Sequence, residues 1–294
     1  LFLLGIHFQC LLDFSQKNCF TIFITILLSK RNTLTGFCLQ KENMVIAIAT
    51  QKGGTGKTTT TISLAAGLAR LQQKKVLLID IDSQANSSKV LLPHYQEILK
   101  HQTIYTTLLE RNPIPVHPSS IPNLDIVPSH ILLSNTDVEL TTAKDHREAR
   151  LKSQLIPIKN NYDYILIDCP PALGWLTINA FTASDNVIVV VEPGYFELDS
   201  INQLNKTLKE VKEIFHPDLS LLGYLFTKAD PTINSRTSLQ ILRQTFTSRV
   251  FKTIIPRNVA LKDASFNKQD IFKYDPKSKG AAAYQKLIEE IFHE

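Results

Sequence analysis

The chain has 294 residues, 44% of them hydrophobic and 20% charged, with a formal net charge of +5. That balance excludes a disordered, collagen-like or disulfide-framework chain and leaves material for one large core or two small ones. The charge permits contact with a polyanion without requiring one.

The first 43 residues differ in character from the rest. They hold Cys10, Cys19 and Cys38 of the four cysteines and the apolar run Phe20–Leu28, and the only methionine, Met44, follows them. Nine apolar residues are too few to cross a bilayer, and no small-residue cleavage site follows the run. A misplaced upstream start is therefore favoured over a signal or anchor segment and over a real extra element. The expected organisation is an extension over residues 1–43 and one folded domain over residues 44–294. Past Met44 only Cys169 remains, which fits a reducing cytosol.

From Met44 onward, short apolar runs alternate with helical patterns, as in a parallel sheet covered on both faces. The run Val45–Ala49 leads into Lys52-Gly53-Gly54-Thr55-Gly56-Lys57-Thr58-Thr59-Thr60, and a helical spacing of Ile62, Ala65, Ala66 and Ala69 follows. This stretch reads as a phosphate cradle. Glycines let the backbone curl with its N–H groups turned inward, and the positive end of a helix adds to the field. Gly53, Gly54, Gly56, Lys57, Thr58 and Thr59 are the candidate nucleotide contacts, with Lys57 reaching the outer phosphates and the Thr58 hydroxyl placed for Mg²⁺. Gln51 stands where an ordinary phosphate loop has its first glycine, and Lys52 makes the stretch match the deviant Walker A pattern KGGxGKT.

Lys75–Asp80 is a second buried-strand pattern, delivering Asp80 at its carboxyl end just before Asp82. Residues 85–123 contain five prolines and predict surface loops around one short helix. Leu124–Pro128 predicts a strand, and residues 135–155 carry helical spacing. Tyr164–Asp168 is another apolar run ending in a carboxylate and is followed by Cys169-Pro170-Pro171, a Walker B pattern in which Asp168 binds Mg²⁺ through water. Cys169 itself reads as a buried core residue. Val187–Val191 predicts a strand, and the stripe Leu198, Ile201, Leu204, Leu208, Val211 and Phe215 a core-packed helix. Leu221–Thr227 and Val250–Ile255 read as the last strands, and Ala281–Phe292 as the closing helix. The expectation is an α/β phosphate-loop fold with seven or eight mostly parallel strands and helices on both faces.

With Lys52–Thr60, Asp80-Ile81-Asp82-Ser83-Gln84 and Leu166–Pro171 in hand, the chain resembles the ParA/Soj-type chromosome and plasmid partitioning ATPases from Met44 to Glu294. Phe251–Val259 and Tyr274–Gly280 are similar to that family's C-terminal signatures. The resemblance implies an ATP- and Mg²⁺-dependent hydrolase that forms an ATP-sandwich homodimer and binds DNA without sequence preference. It also implies that a ParB-like centromere-binding partner stimulates hydrolysis, and that the protein is cytoplasmic and nucleoid-associated. Lys52 becomes the signature lysine that reaches the partner subunit's nucleotide, Asp82 the residue orienting the attacking water, Asp80 and Asp168 the carboxylates of the Mg²⁺ shell, and Pro256 and Asn258 the adenine contacts. Lys52, Lys57 and Asp82 are thus the expected catalytic set.

For DNA, Arg236 occupies the position of a family DNA-binding arginine, after a short insertion over Pro231–Ser235. The family's second basic position is Ala260 here, leaving nearby Lys262 to compensate. The alternative is an ATPase of the same fold that positions another cargo, or an ATP-gated regulator. Septum-positioning relatives use a basic, apolar C-terminal helix, whereas this chain ends Leu287-Ile288-Glu289-Glu290-Ile291-Phe292-His293-Glu294, so no stable membrane association is expected. Iron–sulfur relatives need a pair of cysteines that Cys169 alone does not provide.

Overall fold

The computed structural model describes residues 43–143, 145–194 and 197–292. The expectation for the N-terminal extension falls on residues 1–42, outside the described residues. Strand β1 (Met44–Ala49) is buried along its whole length, as are β2 (Val76–Asp80) and β5 (Tyr164–Asp168). Their continuous apolar sequences have no polar face to show to water, so they can only form the interior of a two-sided sheet.

The remaining strands are β3 (His117–Pro118), β4 (Leu124–Val127), β6 (Asn186–Val191) and β7 (Ser220–Phe226). Among the described residues they build one seven-stranded sheet in the order β3-β4-β2-β5-β1-β6-β7. Every neighbouring pair is parallel except the short antiparallel edge pair β3–β4.

Strand alternation divides the core. Val45, Ala47 and Ala49 join a hydrophobic cluster with Phe181 of helix α6 (Trp175–Ala183) and Leu204 of α7 (Glu197–Ile214). Ile46 and Ile48 therefore turn to the other face. There α1 (Lys57–Leu71) lies against β1, β2 and β5, backed by α10 (Ile271–Tyr274) and α11 (Lys279–Phe292). The predicted stripe on α7 and the closing helix α11 are thus core-packed.

Three expectations are corrected. Val250–Ile255 is not a strand: its first residue, Val250, forms an isolated bridge with Tyr224 of β7, and just past its end Pro256 forms another with Ala229. The region read as loops around one helix holds two, α2 (Asn86–Leu91) and α3 (Ile104–Glu110), and the edge strand β3. The helical pattern over 135–155 is split into α4 (Thr136–Thr142) and α5 (Arg150–Lys159).

The β6–β7 pairing carries a register shift between Val187 and Ile188, which face Leu221 and Gly223, so Leu222 is the extra residue of a bulge. Beyond it Val191 pairs with Phe226, and this sets which residues emerge at the carboxyl edge. A Cβ on Gly223 would lie 2.9 Å from the Arg249 carbonyl oxygen and 3.0 Å from the Phe251 ring. Gly223→Val is expected to cost about 1–3 kcal/mol of stability by overpacking. Urea unfolding of the two proteins checks this, with Gly223→Ala expected between them.

Candidate functional site

All the chemistry gathers at the carboxyl edge of the sheet, where a parallel fold leaves a crevice between strand ends and helix starts. A cleft of about 830 Å³ there is lined by the loop from Lys52 to Thr59, by Asp82, and by the segment from Ile255 to Lys262.

The β1–α1 loop is shaped by two glycines in the left-handed region, Gly54 at φ 81° and Gly56 at φ 92°. Side chains are strained there, so the turn selects glycine. Gly56 is also the residue from which α1 starts, and no acidic side chain occupies the first turn of that helix. The N-terminal amides and dipole are thus available to an anion. Cβ atoms placed on Gly53 or Gly54 would meet nothing within 4 Å, so the loop presents bare backbone to the cleft. Thr55 Oγ1 is buried without a partner among the described residues, an unspent hydrogen-bonding group inside the loop. Gln51, in the place of an ordinary first glycine, is tied by its side chain to Gln203 on α7.

Lys57 is buried and turned inward. Its Nζ donates to Asp168 Oδ1 at 2.7 Å and lies 3.5 Å from Asp82 Oδ2. Burial works against its charge, but Asp168 and then Asp82 outweigh it and hold the ammonium above its ordinary range. Asp168 also accepts from Thr61 Oγ1 at 3.3 Å and, through Oδ2, from Ser87 Oγ at 2.7 Å. Asp80 pairs in register with Asp168 across β2 and β5. Its Oδ2 accepts from the backbone N–H and hydroxyl of Ser88, at 2.9 and 2.7 Å, and its Oδ1 from the backbone N–H of Asp82 at 3.1 Å. Two neighbouring buried carboxylates disfavour each other's charge. Burial, then Asp168, push the Asp80 carboxyl up to about 7 against the bonds from Ser88.

Asp82 is 7% exposed and lines the cleft. Its Oδ1 accepts from the backbone N–H of Gln84 at 3.0 Å, and Ser129 Oγ donates to its carbonyl at 2.6 Å. The loop following β2 is therefore pinned through its backbone while Oδ2 faces Lys57. Cys169 is buried, and burial pushes its thiol up, as for an inert core residue.

The structure brings Lys52, Lys57, Thr58, Asp82, Pro256 and Asn258 to one cleft, and Lys262 with them. Arg236 stands apart from the cleft lining, exposed on α8 (Ile233–Phe246). Asn258 precedes α9 (Val259–Phe266) and makes no side-chain cap bond, so its amide is not committed to the helix end.

Several contributors lie outside the motifs. Ser87 and Ser88 on α2 satisfy the aspartates, and Tyr284 Oη shares a 2.9 Å hydrogen bond with Thr60 Oγ1. Thr227 Oγ1 donates to the Thr55 carbonyl at 2.6 Å. Glu192 accepts from Lys52 at 2.9 Å and from Lys228 at 3.2 Å. The position of Glu192 just past a buried strand was the one available sequence signal, since parallel strands deliver functional groups at that end.

Bare backbone, an unspent loop hydroxyl and a cationic helix start fit a polyphosphate. Hard oxygen donors at Asp80, Asp168 and Thr58 suit a small divalent cation, and the existing hydrogen bonds of both carboxylates favour contact through its water shell.

Residues 43–221 match the family described as AAA domain. The sporulation initiation inhibitor protein Soj of Bacillus subtilis (strain 168) is 40% identical, the match covering 84% of this chain and 97% of that protein. The chromosome partitioning protein ParA of Myxococcus xanthus (strain DK1622) is also 40% identical, over 84% of this chain and 87% of its own length. Among solved structures, cobyrinic acid a,c-diamide synthase from Mycobacterium smegmatis, with bound ATP analog and magnesium, is 31% identical. Its TM-score is 0.70, over 84% of this chain and 95% of that one.

The raised Asp80 carboxyl has a pH consequence. Below about pH 4 both folded and unfolded chains hold the proton; between about 4 and 7 only the folded chain does. The contribution of Asp80 to stability therefore declines as pH rises through that window and levels off above it. In urea unfolding without nucleotide or metal, the wild type should lose about 1–3 kcal/mol more than Asp80→Asn between pH 5 and pH 8.

Proposed function

The chain belongs to the ParA/Soj family of partitioning ATPases, and from that premise we propose that it is an ATP-driven switch for DNA partitioning. In this reading residues 44–294 bind ATP with Mg²⁺ and pair as an ATP-sandwich homodimer. The dimer holds DNA without sequence preference, which would set it on the nucleoid, and releases it on hydrolysis stimulated by a ParB-like partner.

Asp82 carries the proposal. A carboxylate that is almost wholly buried, yet lines the phosphate-loop cleft 3.5 Å from the loop lysine, has a position that capping a helix does not account for. The first turn of α2 draws no side-chain cap from it. Phosphoryl transfer asks little covalent chemistry of a protein and much positioning, so a group that orients water near the outer phosphate suffices.

The other roles follow from where the residues sit. The amides of Gly53, Gly54 and Gly56 and the hydroxyls of Thr58 and Thr59 would cradle the phosphates. Lys57 would turn from Asp168 toward the outer phosphates when these arrive. Bound Mg²⁺ would neutralise phosphate charge, held by Thr58 and, through its water, by Asp80 and Asp168. Pro256 and Asn258 would lie against the adenine. Lys52, on the exposed lip of the loop, would reach a partner subunit's nucleotide and neutralise charge there. Arg236, exposed on α8, would contact DNA phosphates, with Lys262 a second contact at the cleft rim.

Asp82→Ala should lower ATP turnover by about a hundredfold or more while ATP stays bound, trapping the dimer. Lys57→Ala should instead weaken nucleotide binding, and Lys52→Ala should bind ATP but stay monomeric. Turnover and dimer mass measured together decide this, and wild-type turnover in Asp82→Ala would remove Asp82 from the mechanism. Arg236→Ala should reduce ATP-dependent DNA binding and flatten its salt dependence by about one phosphate contact, with ATP affinity unchanged. DNA binding indifferent to salt would move the DNA surface elsewhere.

A further inference from the structure

Three adjacent parallel strands bring three charged side chains to one level at the mouth of the cleft. Ala49 of β1 pairs with Val189 of β6, so Lys52 and Glu192, each three residues further on, emerge together. Val191 pairs with Phe226 of β7, so Thr227 and Lys228 follow on the other side of Glu192. The side chains use this alignment. Glu192 Oε1 lies 2.9 Å from Lys52 Nζ and Oε2 3.2 Å from Lys228 Nζ, one ammonium to each oxygen. Lys228 also donates to the carbonyl of Gly54, tying the pair to the phosphate loop.

We propose that Glu192 is a positioning residue that holds Lys52 against its own subunit in the nucleotide-free protein, so that subunit pairing requires Lys52 to exchange Glu192 for phosphate. The proposal rests on the reading above that Lys52 acts across a dimer.

The surroundings fit a restraint of intermediate strength. The Glu192 side chain is 16% exposed and that of Lys52 47%. Such a contact is not paid for by full desolvation, and it weakens once a more highly charged competitor is near. A triphosphate is that competitor. Burial alone would raise the Glu192 carboxyl, but the two lysines outweigh it and keep it ionised. Lys228 shares the carboxylate, so it moderates the hold on Lys52. Loss of Glu192 and loss of Lys228 should therefore act in opposite directions, a pattern that general damage to the loop would not produce.

Two measurements test this on the full chain. In the first, amine acetylation of the nucleotide-free protein is read by mass spectrometry. Lys52 should react about two- to fivefold faster in Glu192→Gln than in wild type. Equal rates overturn the resting contact, whether or not the protein dimerises. In the second, dimer formation is followed by sedimentation at saturating non-hydrolysable ATP analogue. Glu192→Gln should dimerise at about three- to tenfold lower protein concentration, and Lys228→Met at higher concentration, than wild type. Unchanged or weaker dimerisation of Glu192→Gln, with Lys52→Ala impaired, overturns the restraint alone. If Lys52→Ala dimerises like wild type, the reading of Lys52 under the proposed function fails, and the restraint falls with it.

Discussion

The buried contact between Lys57 and Asp168 joins the first helical residue after the phosphate loop to the end of the central strand β5, and the geometry of the site depends on it. Two carboxyl groups, Asp80 and Asp168, sit side by side in the interior with essentially no exposure. Without a cation among them that arrangement would be prohibitive, because each isolated buried charge carries a large desolvation cost. Lys57 supplies the charge, and the hydroxyls of Thr61, Ser87 and Ser88 satisfy the remaining lone pairs. The cluster is therefore a fully hydrogen-bonded polar network, the condition under which such a network specifies a unique arrangement.

On the proposed function, the same network would let the site change state. A buried lysine held by carboxylates remains charged, and an incoming polyphosphate offers it a stronger anion at the same spot. In that reading Lys57 would exchange one set of oxygens for another, and a divalent cation bringing its own water would compensate Asp168 and Asp80. The exchange is between bound states, so no charge need be stranded in the core. Asp82 shares Lys57 with Asp168; its backbone N–H donates to Asp80 Oδ1, its carbonyl accepts from Ser129 Oγ and from the backbone N–H of Ala85, and its Oδ1 accepts from the backbone N–H of Gln84. Movement of the lysine would thereby be felt by Asp82, which lines the cleft.

The sequence made the centre of this fold legible and its margins less so, for a physical reason. Strands β1, β2, β5 and β6 are buried on both faces, so between their end residues they are apolar almost without interruption. The phosphate loop needs glycine where φ is positive and keeps a recognisable spacing. At the sheet edge these constraints relax. Val250–Ile255 is largely apolar because it packs on the core, with Phe251 and Ile255 buried, yet its only bridge to β7 is the isolated one at Val250; burial without a ladder looks like a strand in sequence. Ser87 and Ser88 were invisible for the opposite reason: short polar residues in a loop-like stretch carry no pattern until the aspartates they serve are placed. Glu192 is separated in sequence from both Lys52 and Lys228 and meets them only through strand register, which includes the bulge at Leu222.

That register makes the carboxyl edge more than a row of strand ends. In a parallel sheet all strands finish on the same side, but which residues stand level depends on every pairing between them. The one-residue bulge in β7 advances its sequence against β6, so that Thr227 and Lys228, rather than their predecessors, arrive beside Glu192. Thr227 then reaches the carbonyl of Thr55, and Lys228 that of Gly54, two successive carbonyls of the loop. With these two carbonyls engaged by the residues that follow β7, the peptide planes Gly54–Thr55 and Thr55–Gly56 are fixed, since a plane that fixes one group fixes the other. The conformation of the loop is thus maintained partly by two residues that lie outside the phosphate-binding motif itself.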